Sequence, residues 1–544
     1  MNSKHRYAIA AWCVGYLMLT AALWAQEADG PRSKGVPQDW SDHSIVFTLD
    51  GLAQHPELIY QEPRILHQLM QRFRARGSNV VRNVETEAVS ADADAHHRDW
   101  SFALGKGHVA AEMYPAKWTF DPSAPPSCAN DYVVFGLATA GAKAGQANLV
   151  ALNDLYAGTG GLCTTGPSVY FAYTITTVAG GKVVTSPVIS EDGTKIAFVE
   201  SLGTASIFHV LTFTPGQGGV TSAATPTAMT SLTYSTSNTT TSSPWIDYSD
   251  DVVFVADDSG VLYKITGVFK GTPTLVTSSP WPITVSAGTR LSPPVFDRSR
   301  GFLLAGGRNG DLYEIETTSG AVAAMIVGAH GARGAGVVAP PIVDVTNNRT
   351  YAVSANDGTT AVLVQADTEL FQPKAKARIG VGATTGTTLY IYQPALSNDY
   401  YTSPSSGAIY VCGTGTATGD TSPWAYSFGF TGRALLTTAA SKNQLVTSAA
   451  ATCTSWNEFF NPNIGASGTD FFFFGLTQGC PGTGSTGCVA SMTTTSATLT
   501  TEPVNGGPSG IVVDNFSTAG QASSIYFTGE AVDTAYKLTQ NGLK

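Results

Sequence analysis

Charged residues are scarce in this chain of 544 residues. Lys, Arg, Asp and Glu make up 13% of it, against roughly 25% in a typical soluble domain. The formal net charge of −10 argues against a nucleic-acid partner, because such partners reward dense Lys/Arg patches. It also gives no support for binding an anionic membrane surface.

The sequence also lacks several catalytic motifs. It has no H-E-x-x-H, no G-x-x-x-x-G-K-[ST] and no G-x-S-x-G nucleophile elbow. The glycine-rich "GTGTATG" (Gly413–Gly419) lacks the spacing and the following helix of a dinucleotide fingerprint. After residue 120 the only histidines are His209 and His330, and neither has an evident nucleophile partner. No catalytic residue, cofactor-binding residue or cofactor is predicted from these patterns.

An apolar run, "YAIAAWCVGYLMLTAALWA", follows Lys4 and Arg6 at the N-terminus. This order is typical of a signal peptide over residues 1–25, although Leu23 is larger than the residue usual at that distance from the cut after Ala25. The alternative is a retained membrane anchor, because the run approaches the length of a span. Membrane contact is expected only through this segment if it stays uncleaved. The chain is therefore expected to be secreted or periplasmic.

Six cysteines lie beyond this segment, and no two are adjacent or spaced as C-x-x-C. An even number in an exported chain predicts disulfides, and six cysteines allow fifteen pairings. Cys480 and Cys488 bracket the flexible "PGTGSTG" and form the first predicted pair. Cys128 with Cys163 is the second by proximity, and Cys412 with Cys453 follows by elimination.

Charge is concentrated between residues 26 and 120, where about one residue in four is charged, against about one in nine afterwards. This predicts a charged N-terminal region over 26–115 and a main domain over 116–544. The region contains one amphipathic helix, Glu62–Gly77, with Pro63 in its first turn and Gly77 at its end. Its other face is basic through Arg64, Arg72, Arg74 and Arg76. A solvated face is favoured over a membrane or partner site.

The segment "DADAHHRD" (Asp92–Asp99) places carboxylates beside His96 and His97. A metal site could use these groups, but consecutive histidines point apart on a regular backbone. A solvated linker is therefore favoured.

From about residue 120 the chain repeats a unit of about fifty residues, as propeller blades do. Five units have a Pro before a short apolar run, then an apolar strand such as "DVVFVA", then an alternating strand such as "VLYKIT". Three more units fit this pattern with a degraded opening. Units start near residues 125, 186, 243, 293, 340, 393, 447 and 508. Four antiparallel strands per unit predict an all-β, eight-bladed β-propeller. Seven blades is the alternative, if the weakest unit, Thr447–Ala497, is misread.

Two short runs test this interpretation. Phe471–Phe474 should be a strand buried between blades rather than an exposed aromatic platform. The eighth unit ends without a fourth strand, and "AKWTFD" (Ala116–Asp121) precedes the first unit with no blade of its own. We expect it to complete the last blade as its outer strand, because a bare third strand would leave backbone groups unpaired.

At these residues the chain resembles a known class of protein. "DLYEIETTSGAV" (Asp311–Val322) resembles the quinoprotein-type repeat of PQQ-like propellers, in the quinoprotein alcohol dehydrogenase-like superfamily. "SEDGTKIAFVES" (Ser190–Ser201) is more similar to the TolB-type repeat, close to WD40/YVTN repeats. The resemblance implies a secreted bacterial propeller over roughly residues 120–544. Quinoprotein dehydrogenases often add an adjacent cysteine pair and calcium ligands, and this chain lacks the adjacent pair.

Asp257 and Asp258 in "ADDSG" are the candidate metal residues, with calcium as the ion. They stand where two strands must turn, and other units have "GRNG" or "ANDG" in that position, so a turn explains all three. We expect an exported, non-catalytic propeller that binds a protein, glycan or surface partner. The alternative is a quinoprotein-like dehydrogenase or a glycan-active enzyme with its site in the central funnel.

Overall fold

The structure, a computed structural model, describes residues 35–77, 96–158, 160–236, 239–369, 373–383, 389–462, 464, 468–481, 486–517, 519 and 521–540. The predicted signal peptide and residues 92–95 of the "DADAHHRD" segment lie outside these ranges. Across the described residues, no helix combines the length and the apolar character needed to cross a membrane.

The described residues of the N-terminal region form three strands and three α-helices. The strands are β1 (Val36–Gln38), β2 (Ile45–Val46) and β3 (His96–Ala103). A 3₁₀-helix (Trp40–His43) separates β1 from β2, and α1 (Leu49–Gln54), α2 (Leu58–Gln61) and α3 (Pro63–Gly77) follow β2. The predicted helix is confirmed as α3. The side chain of Thr48 caps α1 by accepting a hydrogen bond from the Gly51 N–H.

Eight sheets form an eight-bladed β-propeller, as the repeat predicts. Blade 1 contains Ala116–Thr119, Tyr132–Gly136, Leu149–Asn153 and Ser168–Tyr173, and blade 2 contains Val188–Ile189, Lys195–Ser201, Ser206–Thr212 and Met229–Ser235. Blade 3 contains Trp245–Asp247, Val252–Ala256, Val261–Thr266, Thr274–Leu275 and Ile283–Thr284. Blade 4 contains Val295–Asp297, Phe302–Gly306, Asp311–Glu316 and Val322–Ile326. A two-residue strand, Lys182–Val183, also joins the sheet of blade 2.

Blade 5 contains Ile342–Asp344, Arg349–Ser354, Thr360–Ala366 and Pro373–Val381, and blade 6 contains Ala395–Leu396, Ala408–Thr414, Pro423–Thr431, Ala434–Leu435 and Ser441–Gln444. Blade 7 contains Asn457–Asn461, Thr469–Leu476, Cys488–Thr493 and Thr500–Pro503. Blade 8 contains Val512–Asp514, Ser524–Thr528, Thr534–Gln540 and β3. A short helix, α4 (Asn398–Thr402), and a 3₁₀-helix, Pro404–Ser406, connect the first two strands of blade 6.

Burial distinguishes the centre of the propeller from its rim. First strands such as Trp245–Asp247 and Ile342–Asp344 are buried at every residue, whereas fourth strands such as Ser441–Gln444 are mostly exposed. The first strands therefore surround the central channel. Second strands are sandwiched between blades, and all four residues of Phe471–Phe474 are buried, which confirms their predicted core position.

The predicted start of the first blade is wrong. The segment that begins at Pro125 forms the turn before the second strand, and the first strand of blade 1 is Ala116–Thr119. The ring of Trp118 lies against the Gly193 turn of blade 2, where a Cβ atom would come within 2.2 Å of it. Gly193 has a φ of +66°, which favours glycine.

The prediction that Ala116–Asp121 closes the ring as the outer strand of blade 8 is therefore wrong. The outer strand of blade 8 is β3, which pairs with Thr534–Gln540 from His96 opposite Gln540 to Ala103 opposite Thr534. Residues 96–99, interpreted above as a solvated linker, belong to this strand. The sequence boundary at residue 116 consequently separates β3 from the blade that it completes.

The three disulfides of the structure are the predicted pairs. They join Cys128 to Cys163, Cys412 to Cys453 and Cys480 to Cys488, with sequence separations of 35, 41 and 8 residues. The first links the turn after the first strand of blade 1 to the connection before its fourth strand. The second links blade 6 to the segment leading into blade 7.

Removing Cys480–Cys488 through paired alanine substitutions is expected to lower the free energy of unfolding by roughly 2–3 kcal/mol, because the crosslink closes a short loop. The matched change at Cys128 and Cys163 should cost more, roughly 3–4 kcal/mol, because its loop is longer. Urea unfolding measures both values. Peptide mapping without reductant should recover all three pairs, and free thiols at 480 and 488 would contradict the assignment.

Candidate functional site at the ends of the central channel

Strands β1 and β2 lie inside the channel. β1 pairs antiparallel with the first strand of blade 1, and β2 pairs in parallel with the first strand of blade 5. The other edge of each first strand is already paired with its second strand. The N-terminal strands therefore occupy the edges that face the axis. We call residues Val36–Arg72 the plug.

Hydrogen bonds from the start of the plug reach several blades. Gln38 Nε2 donates to Val513 O of blade 8 at 2.8 Å, and Trp40 Nε1 donates to Pro244 O before blade 3 at 3.0 Å. Gln393 Nε2, before blade 6, donates to Ser44 Oγ at 2.9 Å. Trp40, Ile45 and Phe47 also share one apolar core with residues of blades 3 to 6. The plug is thus an integral part of the propeller core.

Arg64 of α3 anchors the plug to blade 3. Its guanidinium donates to Ser41 Oγ at 2.6 Å, Glu62 Oε1 at 2.8 Å and Ile246 O at 2.9 Å, and lies 4.0 Å from the ring centroid of Trp245. Burial disfavours its charge, but Glu62 and Asp39 outweigh this effect and raise the pKa of Arg64. The predicted solvated basic face is therefore wrong at Arg64, which is buried.

Arg72 lies further along α3, eight residues after Arg64, and anchors the plug to blade 7. It forms an ion pair with Glu458 of the first strand at 2.7 Å and lies 3.6 Å from the ring centroid of Tyr401. A cavity of about 40 Å³ beside this pair is lined mostly by polar residues, which include His43 and His67. Burial lowers the pKa of His43 to about 4 and that of His67 to about 3. Both imidazoles are therefore neutral at pH 7.

The opposite end of the channel, where the first strands begin, is crossed by residues 107–114. The Val109 N–H donates to Thr528 Oγ1 at 3.1 Å, and the Gly510 N–H donates to Met113 O at 2.8 Å. The Tyr114 N–H donates to Ser186 Oγ, just before the first strand of blade 2, at 2.9 Å. This crossing segment connects β3 of blade 8 to the first strand of blade 1.

The crossing segment brings the carboxyl groups of Glu112 and Glu530 close enough to interact electrostatically. The Glu112 N–H donates to Glu530 Oε1 at 3.4 Å, and Ser455 Oγ donates to Glu112 Oε2 at 3.5 Å. Burial raises the pKa of both groups, to about 7 for Glu530, and the negative charge of Glu530 raises that of Glu112 further. Burial and these two carboxylates also raise the pKa of nearby Tyr392.

Both glutamates remain partly accessible to solvent. Two neighbouring carboxyl groups do not both ionise cheaply, so such a pair retains a proton or accepts a cationic group. The chemistry available at this end of the channel is therefore proton exchange or recognition of a cation.

Glu530→Gln is expected to raise the free energy of unfolding by about 1 kcal/mol at pH 8, after discounting for partial exposure. The folded protein keeps the Glu530 proton up to about pH 7, whereas an unfolded chain loses it near the ordinary pKa of 4.5. Wild-type stability from this group is therefore present below pH 4.5 and is lost as pH rises to 7.

Thermal unfolding of wild type and variant at pH 8 and pH 4.5 measures this difference, which should vanish at the lower pH. Glu57→Gln, on the exposed surface of the plug, is the matched control. An equal gain at both pH values would contradict the pKa assignment.

The predicted metal residues lie away from the channel axis, in a turn of blade 3. Asp257 accepts hydrogen bonds from the Ser259 N–H at 3.0 Å and from Ser235 Oγ and Tyr263 Oη at 2.8 and 3.0 Å. Asp258 forms an ion pair with Arg290 at 2.9 Å. These contacts are those of a turn, and a calcium ion there stays a prediction.

Among the described residues, one group of three potential metal ligands lies close together: Cys128, Asp154 and Cys163. Its two sulfurs form a disulfide. The two histidines of the repeat region have acidic partners. His209 Nε2 lies 3.0 Å from Glu200 in the core, and His330 Nε2 lies 2.7 Å from Asp311.

Sequence reasoning missed the plug and the Glu112–Glu530 pair. β1 and β2 have three and two residues, too few to show an alternating pattern. Glu112 and Glu530 are separated by 418 positions. Only the way the crossing segment runs over the channel brings them together.

No protein-family model matches the chain, and no curated protein does so. Among solved structures it is similar to BamB from Moraxella catarrhalis, with 15% identity, a TM-score of 0.45, and 82% of this chain and 100% of that chain covered. It is also similar to the Dos1 propeller, with 11% identity, a TM-score of 0.49, and 82% of this chain and 96% of that chain covered. A third similar structure is the dihydro-heme d1 dehydrogenase NirN in complex with DHE, with 12% identity, a TM-score of 0.41, and 79% of this chain and 77% of that chain covered. These are likenesses of fold, and the eight blades are established by the sheets themselves.

Proposed function

We propose that this chain is an exported β-propeller that binds a protein partner and acts as a scaffold. The observation that carries the proposal is the plug, which fills the axis of the ring and ties first strands of opposite blades together. A ring fixed in this way is a rigid platform whose loops and outer strands are the surfaces left for recognition. Three disulfides fit an oxidising compartment such as the periplasm or the exterior of the cell.

Site-specific photo-crosslinking in the cells that produce the protein tests this proposal. Probes at exposed positions of several blades should yield one recurrent protein adduct, and the two purified proteins should then bind with a Kd in the micromolar range or below. The proposal fails if no protein adduct forms while a glycan array shows saturable binding. It also fails if PQQ with calcium binds and supports dehydrogenase turnover.

The Glu112–Glu530 pair is the observation that favours the enzyme alternative. Glycan-cleaving enzymes use a carboxyl group that stays protonated near pH 7 together with a second carboxyl group, and Glu530 and Glu112 would supply these two groups. Under this alternative, Glu530→Gln abolishes hydrolysis of glycan substrates. Under the scaffold proposal it leaves the crosslinked partner bound.

A further inference from the structure

The outer strand of blade 4, Val322–Ile326, differs from the other outer strands in its side chains. It reads Val-Ala-Ala-Met-Ile and has no polar residue. The other outer strands of four or more residues all carry hydroxyl, amide or charged groups, and blade 3 ends in two-residue strands. The outer strand of blade 5, for example, carries Lys374, Lys376 and Arg378. Charged residues and short strands are the usual ways to protect a sheet edge from pairing.

This strand is open to solvent along most of its length. Val322 is 38% exposed and Ile326 is 63% exposed, and Ala323 and Ala324 between them are also exposed. Within the described part of the chain it pairs only with the third strand of its own blade. Its outer edge therefore offers backbone N–H and C=O groups next to apolar side chains. We call Val322–Ile326 the apolar edge.

An acidic group lies beside the apolar edge. Glu314 is directly opposite Ala323 in the sheet register, so the two side chains point to the same face. Glu314 Oε2 is buried and has no hydrogen-bond partner. Burial, with the nearby carboxylates of Glu369 and Glu316, raises the pKa of Glu314 to about 7. A cation brought to this face would satisfy Glu314 and favour its ionised form.

The side chain of Ala323 is too short to shield Glu314 from a strand added at the outer edge. A long Lys or Arg side chain on that added strand can extend over Ala323 towards Glu314. A second copy of this chain would be a poor occupant of the edge. It would bring its own Glu314, Glu316 and Glu369, and these negative charges would repel the same charges here.

We propose that the apolar edge binds an extended segment of a partner protein by strand addition, with a Lys or Arg of that segment directed at Glu314. Backbone hydrogen bonds supply affinity in this mode, and alternating side chains supply specificity. Small apolar residues on the segment would pack on Val322 and Ile326, and its basic residue would lie on the face of Ala323. This inference rests on the proposed binding function and names its surface.

The probe is a blocked heptapeptide of alternating Val and Lys, compared with one of alternating Val and Glu, titrated by fluorescence anisotropy. The Lys peptide should bind at least about tenfold more tightly. Val322→Lys should weaken its binding by at least about tenfold, because lysine on an edge opposes strand addition. Glu314→Gln should weaken it by about fivefold.

Thr233→Lys, in the outer strand of blade 2, is the matched control for an added charge and should change the Kd by less than about twofold. Melting temperatures equal to wild type exclude misfolding of the variants. Equal affinity for both peptides, or an unchanged Kd in Val322→Lys, overturns the inference. So does sedimentation that shows wild type, and not Val322→Lys, to dimerise. A crosslinked partner that binds Val322→Lys normally overturns this surface and leaves the proposed function intact.

Discussion

Asp99→Ala is expected to lower the free energy of unfolding by about 3–5 kcal/mol, because it removes the carboxylate that is paired with a buried ammonium group. Asp99 Oδ2 lies 2.6 Å from Lys537 Nζ, and both side chains are fully buried between β3 and the third strand of blade 8. The Thr539 hydroxyl also donates to Asp99 Oδ2 at 2.6 Å. Removing the carboxylate therefore disrupts a small network as well as a pair.

The position of Asp99 in β3 explains how the pair forms. The register between the two strands shifts between Arg98 and Trp100, so Asp99 is the extra residue of a β-bulge. A bulge re-aims a side chain that would otherwise follow the pleat. Here it accompanies a carboxylate directed at Lys537, in the pair of strands that closes the ring.

Equilibrium urea unfolding measures the loss. Asp99→Leu combined with Lys537→Met should recover most of it, because an apolar pair of similar volume pays no desolvation penalty. Glu191→Gln, in the exposed pair with Lys270, is the matched control and should cost less than about 1 kcal/mol. If Asp99→Ala is no more damaging than this control, the buried pair does not hold the ring closed.

Much of the fold was predictable because each blade repeats the same local physics. Buried second strands read as apolar runs, and third strands alternate, as in "VLYKIT". The sequence predicts the wrong closing strand for a physical reason. Ala116–Thr119 alternates as an outer strand would, but alternation identifies a strand and not its partner. In β3 the apolar Trp100 and Phe102 follow a run of charges and histidines, which favoured a linker.

The candidate site was beyond sequence reasoning because its members meet only through the fold. The basic residues of α3 show this well. A basic stripe opposite an apolar stripe predicts a solvated face, yet Arg64 is buried with a carboxylate, an indole ring and a main-chain carbonyl. The carboxylate belongs to Glu62, two residues before Arg64. The indole ring and the carbonyl belong to Trp245 and Ile246 of blade 3, some 180 residues later. Helical periodicity shows which residues share a face of the helix. Whether that face is exposed to solvent depends on the tertiary neighbours, which the periodicity does not show.

Arg64→Met is expected to lower the free energy of unfolding by about 3–5 kcal/mol and to loosen the plug from blade 3. It leaves Glu62, whose pKa burial raises, without the guanidinium that stabilises its ionised form. Arg64→Lys should lose nearly as much, because an ammonium cannot donate in three fixed directions to Ser41, Glu62 and Ile246. Equilibrium urea unfolding measures the loss, and tryptophan fluorescence should also change, since Trp245 lies under the guanidinium.

Arg290→Met is the matched control, because Arg290 pairs with Asp258 in the same blade but is about half exposed, and it should cost less than about 1 kcal/mol. Limited proteolysis then separates the two anchors. Arg64→Met should expose cleavage sites within the plug while blade 8 stays protected, whereas Asp99→Ala should expose the edge of blade 8 first. If both variants are cleaved at the same sites and rates, the plug and the closing strand unfold as one unit. The plug would then have no anchoring role separate from ring closure.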